Sequence, residues 1–170
     1  MIDWAELYRT TCADLVRYLH RKVWDAERAR DLAQETFVRA LQSAARGREP
    51  EHPRAWLFSI AANLARDEAK LAVRRRKHLT LLQREETART EPDEAERLDR
   101  EARERAARAA LEQLSERDRE VLLLWDAGLS YPEIAAQTGL AVGAIGTTLA
   151  RARRRLVEAH EAREAAHAAR

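Results

Sequence analysis

The stretch SYPEIAAQTGLAVGAIGTTLARARRRL, residues 130–156, decides the fold, because it carries the punctuation of two short helices meeting at a tight turn. Ser130 with Glu133 three residues on is a capping box, in which the hydroxyl accepts from the Glu133 N–H and the carboxylate reaches back to the Ser130 N–H. Ile134 and Ala135 give the helix that starts there an apolar face, and Gly139 supplies the left-handed residue that ends it. Val142, Ile145 and Leu149, at spacings of three and four, restart an apolar stripe on a second helix. Two helices joined by a Gly-containing turn form a helix-turn-helix, whose second helix can enter a major groove. Arg151, Arg153, Arg154 and Arg155 then cluster phosphate-seeking charge at one end of that helix. On pattern alone, an ordinary helical hairpin with a solvated basic end stays open beside this reading.

Outward from that element, the composition bounds the rest. The 170 residues suffice for one ordinary domain or two small ones. Aromatic residues are 5% of the chain, Pro and Gly are scarce, and no alternating β-branched runs occur, so the expected class is all-α. Net charge is only +2, yet 35% of residues are charged and the signs are segregated. Residues 46–77 hold nine basic against four acidic side chains, and residues 84–105 hold six against nine. Such segregation implies basic surfaces for a polyanion separated by an acidic connector. Cys12 is the single cysteine, which excludes an internal disulfide and a thiolate metal cluster and fits a reducing compartment. No apolar run approaches membrane-span length and the amino terminus lacks signal-peptide order, so a soluble cytoplasmic protein is expected.

Taken in order, Asp3 and Glu6 cap a first helix whose apolar positions are Leu7, Tyr8, Cys12, Leu15, Val16, Leu19 and Val23. Asp25 opens a second, with Ala29, Leu32, Ala33, Phe37, Val38 and Leu41 as its apolar set and Asp31, Gln34 and Glu35 on its polar sides. A polar loop at 44–53 contains Gly47 and Pro50, and Pro53 suits the first position of a third helix. That helix carries Asn63, Arg66, Asp67 and Lys70 at three- and four-residue steps on one polar side, a surface suited to bases and phosphates. From residue 80 the periodicity is lost, and the acidic segment TARTEPDEAE reads as a flexible linker. Helix returns over 98–114, Ser115 with Asp118 caps a helix bearing Val121, Leu122, Leu124 and Trp125 that ends at Gly128, and the tail after Val157 frays. The boundaries are a first domain at 1–82, a linker at 83–97, a second domain at 98–162 and a tail at 163–170.

At this point the residues DLAQETFVRAL, RAWLFSIAANLARDEAK with RRRK after it, ALEQLSERDREVLLL, GLSYPEIAAQTGLAVGAI and LARARRRL resemble the extracytoplasmic-function sigma factors of bacterial RNA polymerase. The resemblance covers both bodies and implies two helical domains, of the sigma region 2 and region 4 types. It implies three partners: the polymerase core, promoter DNA and an anti-sigma factor. By it, Asp31, Gln34, Glu35 and Phe37 dock on the polymerase largest subunit. Trp56, Asn63, Arg66 and Lys70, with the loop at 45–53, recognise and open the minus-10 element, and Arg74, Arg75, Arg76 and Lys77 hold its phosphates. Ser130, Thr147, Thr148, Arg151 and Arg154 belong to the minus-35 interface. Three positions depart from the family pattern: Ala141 replaces a capping Ser or Thr, Gly146 replaces a groove-facing Lys or Arg, and the 45–53 loop has no aromatic residue.

A sigma-like decoy that sequesters an anti-sigma factor is the alternative, favoured only by the weakened reading helix. Retention of both DLAQETF and RRRK weighs against it, and a plain helix-turn-helix repressor leaves the first body unexplained. An enzyme is not expected, nor a cofactor. There is no Gly-rich phosphate loop, no nucleophile elbow, and no metal spacing among His20, His52, His78, His160 and His167, so no catalytic or metal residues are assigned. Changing Arg74, Arg75 and Arg76 to Ala is expected to weaken promoter binding and to flatten its log–log salt dependence by about 0.9 per lost phosphate contact. A salt titration of binding checks this, and an unchanged slope removes the run from the DNA interface.

Overall fold

A computed structural model describes residues 1–48, 50–79 and 94–168, with the side chains of 73–79, 94–95 and 167–168 left aside. Those residues form helices and their connections, in the order α1 (Trp4–Val23), α2 (Ala26–Ala45), α3 (Pro53–Leu79), α4 (Glu94–Glu112), α5 (Glu116–Asp126), α6 (Tyr131–Thr138) and α7 (Val142–Ala168). The all-α class follows from the helical spacing of apolar residues.

The first body is α1, α2 and α3. Asp3 and Asp25 each accept a backbone N–H three residues on, at 3.0 and 2.9 Å, and so satisfy donors that a helix start leaves free. α1 ends at Trp24, whose φ of 56° is left-handed and whose N–H donates to the His20 carbonyl at 2.7 Å. Leu15, Leu19, Leu32, Leu57 and Phe58 are buried at the centre, with the Tyr18 and Phe58 rings edge to face at 5.2 Å. Arg28 of α2 reaches Glu68 of α3 at 2.8 Å, which raises the guanidinium's affinity for its proton.

The second body is α4 to α7. Ser115 accepts from the Asp118 N–H at 3.1 Å, and Glu133 accepts from both the backbone N–H and the hydroxyl of Ser130 at 2.8 Å. Gly139, at φ 72°, ends α6, and α7 begins three residues later. Val121, Leu124, Leu129, Ile134, Ile145, Leu149 and Ala152 close the core that joins α5, α6 and α7. Within it lies Asp118, 1% exposed, held by Arg151 at 2.5 and 3.1 Å and by Arg155 at 3.2 Å. A buried carboxylate needs such partners, and these two fix the roll of α7 against α5.

Helix α4 starts at Glu94, inside the segment 83–97 that sequence reading makes a linker; residues 83–93 of that segment lie outside the described residues. The extension has a local cause in pairs four residues apart, Arg97 with Glu101, Asp99 with Arg103 and Glu101 with Arg105, each worth ~0.2–0.5 kcal/mol. At the other junction α5 ends at Asp126, two residues before Gly128, which has φ 81°.

The Arg151 hydrogen bond, ahead of the opposing cost of burial, holds Asp118 below the ordinary carboxylate range. A lowered folded-state value means that the stabilisation is complete above the unfolded value of about 4 and disappears as pH falls through the lowered one. Asp118→Asn is therefore expected to lower the melting temperature by several degrees at neutral pH and by progressively less toward pH 2. Thermal melts of both proteins across that range check it, and a difference independent of pH contradicts it.

Candidate polymerase and nucleic-acid interfaces

Helix α2 divides its residues between two sides. Leu32, Ala33, Thr36, Phe37 and Ala40 are buried, and Thr36 donates its hydroxyl to the Leu32 carbonyl at 2.7 Å, which lets a polar residue sit inside. Asp31, Gln34, Val38 and Leu41, at steps of three, four and three, form one outer stripe, with Val38 50% and Leu41 45% exposed. Two assignments are thereby exchanged. Phe37, expected on the docking surface, is 6% exposed with its ring 4.8 Å from Tyr8; Val38 and Leu41, expected in the core, are outside. Asp31 and Gln34 are exposed as expected, and Glu35 is half-buried and accepts from Arg39 at 2.5 Å.

The two bodies meet along a seam. Arg54 of α3 donates to the Asp14 carboxylate at 2.9 Å and to the Ala127 carbonyl, in the other body, at 2.5 Å. Glu120 of α5 accepts from the Tyr18 hydroxyl at 2.5 Å and pairs with Lys22. Burial first, then Glu120, pushes the Tyr18 phenol well above its usual value, so it stays a donor. His20 lies 2.9 Å from Glu104 of α4.

Beside the seam is a cleft of about 850 Å³. Asn63 and Arg66 stand on its first-body wall, and Asn63 accepts from Arg66 at 2.9 Å. The opposite wall carries Glu112, Glu116 and Glu120 among Arg108, Arg117 and Arg119. Trp56 is half-buried against the core, and Lys70 is exposed beside Asp67 at 3.8 Å. Arg74, Arg75, Arg76 and Lys77 continue α3, but their side chains lie outside the described residues.

On α7 the expected minus-35 residues separate. Thr147 is exposed, as is Arg154, which lies 3.8 Å from Glu158. Thr148 is 4% exposed, on the side of α7 that carries Ile145, Leu149 and Ala152, so it is a core residue where a groove contact was expected. Arg151 is bound to Asp118, and Ser130 is occupied in its capping box. An aromatic pair that residue order does not announce stands beside this helix, Trp125 and Tyr131 at 5.3 Å, with the Arg153 guanidinium 5.8 Å over Trp125. Tyr131 sits at the first position after a cap and Trp125 is three residues before a glycine, so both places are legible, but their meeting requires the fold.

Residues 7–78 match the family model described as sigma-70 region 2, and residues 104–156 match sigma-70 region 4. RNA polymerase sigma factor YlaC of Bacillus subtilis is 33% identical over 156 residues, covering 87% of this chain and 86% of that protein. This chain belongs to the extracytoplasmic-function sigma factors. ECF RNA polymerase sigma factor SigL of Mycobacterium tuberculosis is 35% identical, covering 84% of this chain and 80% of its own length. Among solved structures, the sigma factor RpoE in complex with the anti-sigma factor NepR from Bartonella quintana superposes with a TM-score of 0.67 at 26% identity, covering 94% of this chain and 97% of that one. Sigma factors are transcription initiation factors, and among the described residues no helix is long and apolar enough to cross a membrane.

The in-and-out exchange on α2 gives a direct stability test for this sigma factor. Phe37→Ala is expected to cost about 3–5 kcal/mol, as deletion of a buried ring does. Val38→Ala is expected to stay within about 0.5 kcal/mol, as exposed changes do. Denaturant unfolding of the two variants measures both, and the reverse order contradicts the placement of α2.

Proposed function

We propose that the chain is an alternative sigma factor that joins RNA polymerase core in the cytoplasm, directs it to its promoters and is restrained by an anti-sigma factor. The observation that carries this reading is the outer stripe of α2. Acidic, amide and aliphatic side chains follow one another along it, and its two large aliphatic members are left in water although Leu32 and Phe37 of the same helix are core. A mixed stripe of this kind suits a partner surface better than solvent. The body at 1–82 then holds minus-10 DNA with Trp56, Asn63, Arg66, Lys70 and the basic end of α3, and the body at 98–162 places α7 against the minus-35 element. The matched structure of a sigma factor with its anti-sigma factor supports the restraint.

The seam adds a step. Asn63 and Arg66 stand on the wall of a cleft whose other side is the second body, so parting of the bodies would widen the way of a melted strand to them. Unstacking a few base pairs costs several kcal/mol, and basic and stacking groups recover it only if the freed strand can lie along them.

In vitro transcription with purified core polymerase over a promoter library tests the reading. Promoter-specific transcripts are expected. Asp31→Lys with Glu35→Lys and Val38→Glu is expected to abolish core binding while the melting temperature changes little. A wild-type chain that joins core and never starts a transcript would favour the decoy.

A further inference from the structure

The first three turns of α7 are unusual for a helix meant to read bases, because they present almost no hydrogen-bonding group. Val142 is 48% exposed, and Gly143, Thr147 and Ala150 are exposed on the same side. The Thr147 hydroxyl donates to the Ala144 carbonyl at 3.0 Å, so it is engaged within the helix. The arginines are also engaged: Arg151 and Arg155 on Asp118, and Arg153 over Trp125. Arg154 remains at the surface, about 18 Å along the axis from Val142, at the end suited to phosphates.

The fold itself does not call for the two glycines on this face. Neither Gly143 nor Gly146 has a positive φ. A Cβ at Gly143 meets nothing within 4 Å, and one at Gly146 would lie 3.6 and 3.7 Å from the Tyr131 ring and hydroxyl, ordinary contact distances. Glycine is disfavoured inside a helix, so its use at two positions that would each hold a side chain points to close approach by a partner.

We infer that α7 reads thymine C5-methyl groups in the minus-35 major groove through Val142, the glycine gaps and Ala150, in place of the hydrogen-bonding edge of guanine. Thymine carries the one apolar group in the major groove, and small aliphatic side chains are its complement. Gly143 and Gly146 let the helix lie deep enough for those contacts. Arg154, exposed toward the far end of the same helix, supplies charge that a nucleic acid requires and an apolar protein partner does not. This inference rests on the sigma reading only in placing α7 in the groove.

The full chain with core polymerase is used to select bound duplexes from a random-sequence pool, and each thymine of the selected upstream element is then replaced by deoxyuridine, which lacks only the methyl. Binding is expected to fall about fourfold at each thymine that faces α7, the worth of one buried methyl. Val142→Ala is expected to shrink that penalty without moving the melting temperature. Gly146→Arg is expected to add preference for guanine. An upstream element indifferent to uracil, or one specified by guanines alone, overturns the inference. So does selection of no upstream element, while transcription from library promoters would still uphold the sigma reading.

Discussion

Arg54 is the point on which the arrangement of this molecule turns. It leaves α3 in the first body, donates one hydrogen bond to Asp14 on its own side and another to the Ala127 carbonyl, just past the end of α5. Gly128 follows, at φ 81°, and a Cβ there would stand 3.2 Å from the guanidinium, so the left-handed glycine both turns the chain and leaves room for the bridge. Glu120 repeats the connection one layer along by engaging Tyr18 and Lys22 together. These are charge-assisted bonds at a partly buried seam, strong enough to orient two bodies and few enough to be exchanged for bonds to a partner.

The seam also explains how two small helical bodies coexist with a demanding function. Each is near the size at which a single core is marginal, and the buried residues form one continuous cluster from Leu15 to Leu149 that spans both. Closing the bodies adds burial when no partner is present. The same closure sets Asn63 and Arg66 of α3 across a cleft from Glu116 and Glu120 of α5, while the stripe of α2 remains outside. In the second body Asp118 plays the equivalent part for α7: by taking up Arg151 and Arg155 it fixes the helix.

Much of this was legible from residue order. The capping box at Ser130, the left-handed Gly139 and the caps at Asp3, Asp25 and Ser115 are local devices, and local chemistry specified them. Residue type misled on α2, where Phe37, Val38 and Leu41 are all apolar. A helix buries a line and not a type, and the line through Ala33 and Ala40 takes Phe37 with it. Thr148 shows the converse, a polar residue drawn inside by the apolar line of Ile145, Leu149 and Ala152. The seam had no signature, because the Tyr18 to Glu120 and Arg54 to Ala127 contacts join positions far apart in the chain and obey no period.

The most direct measurement is the distance between the two bodies in solution, by fluorescence transfer between labels at Ala26→Cys on α2 and Ala136→Cys on α6, in a chain that also carries Cys12→Ala. High transfer is predicted for the free chain, with a marked fall once core polymerase and promoter DNA are bound. Low transfer in the free chain, or transfer that stays high in the promoter complex, would contradict a seam that closes at rest and parts at work.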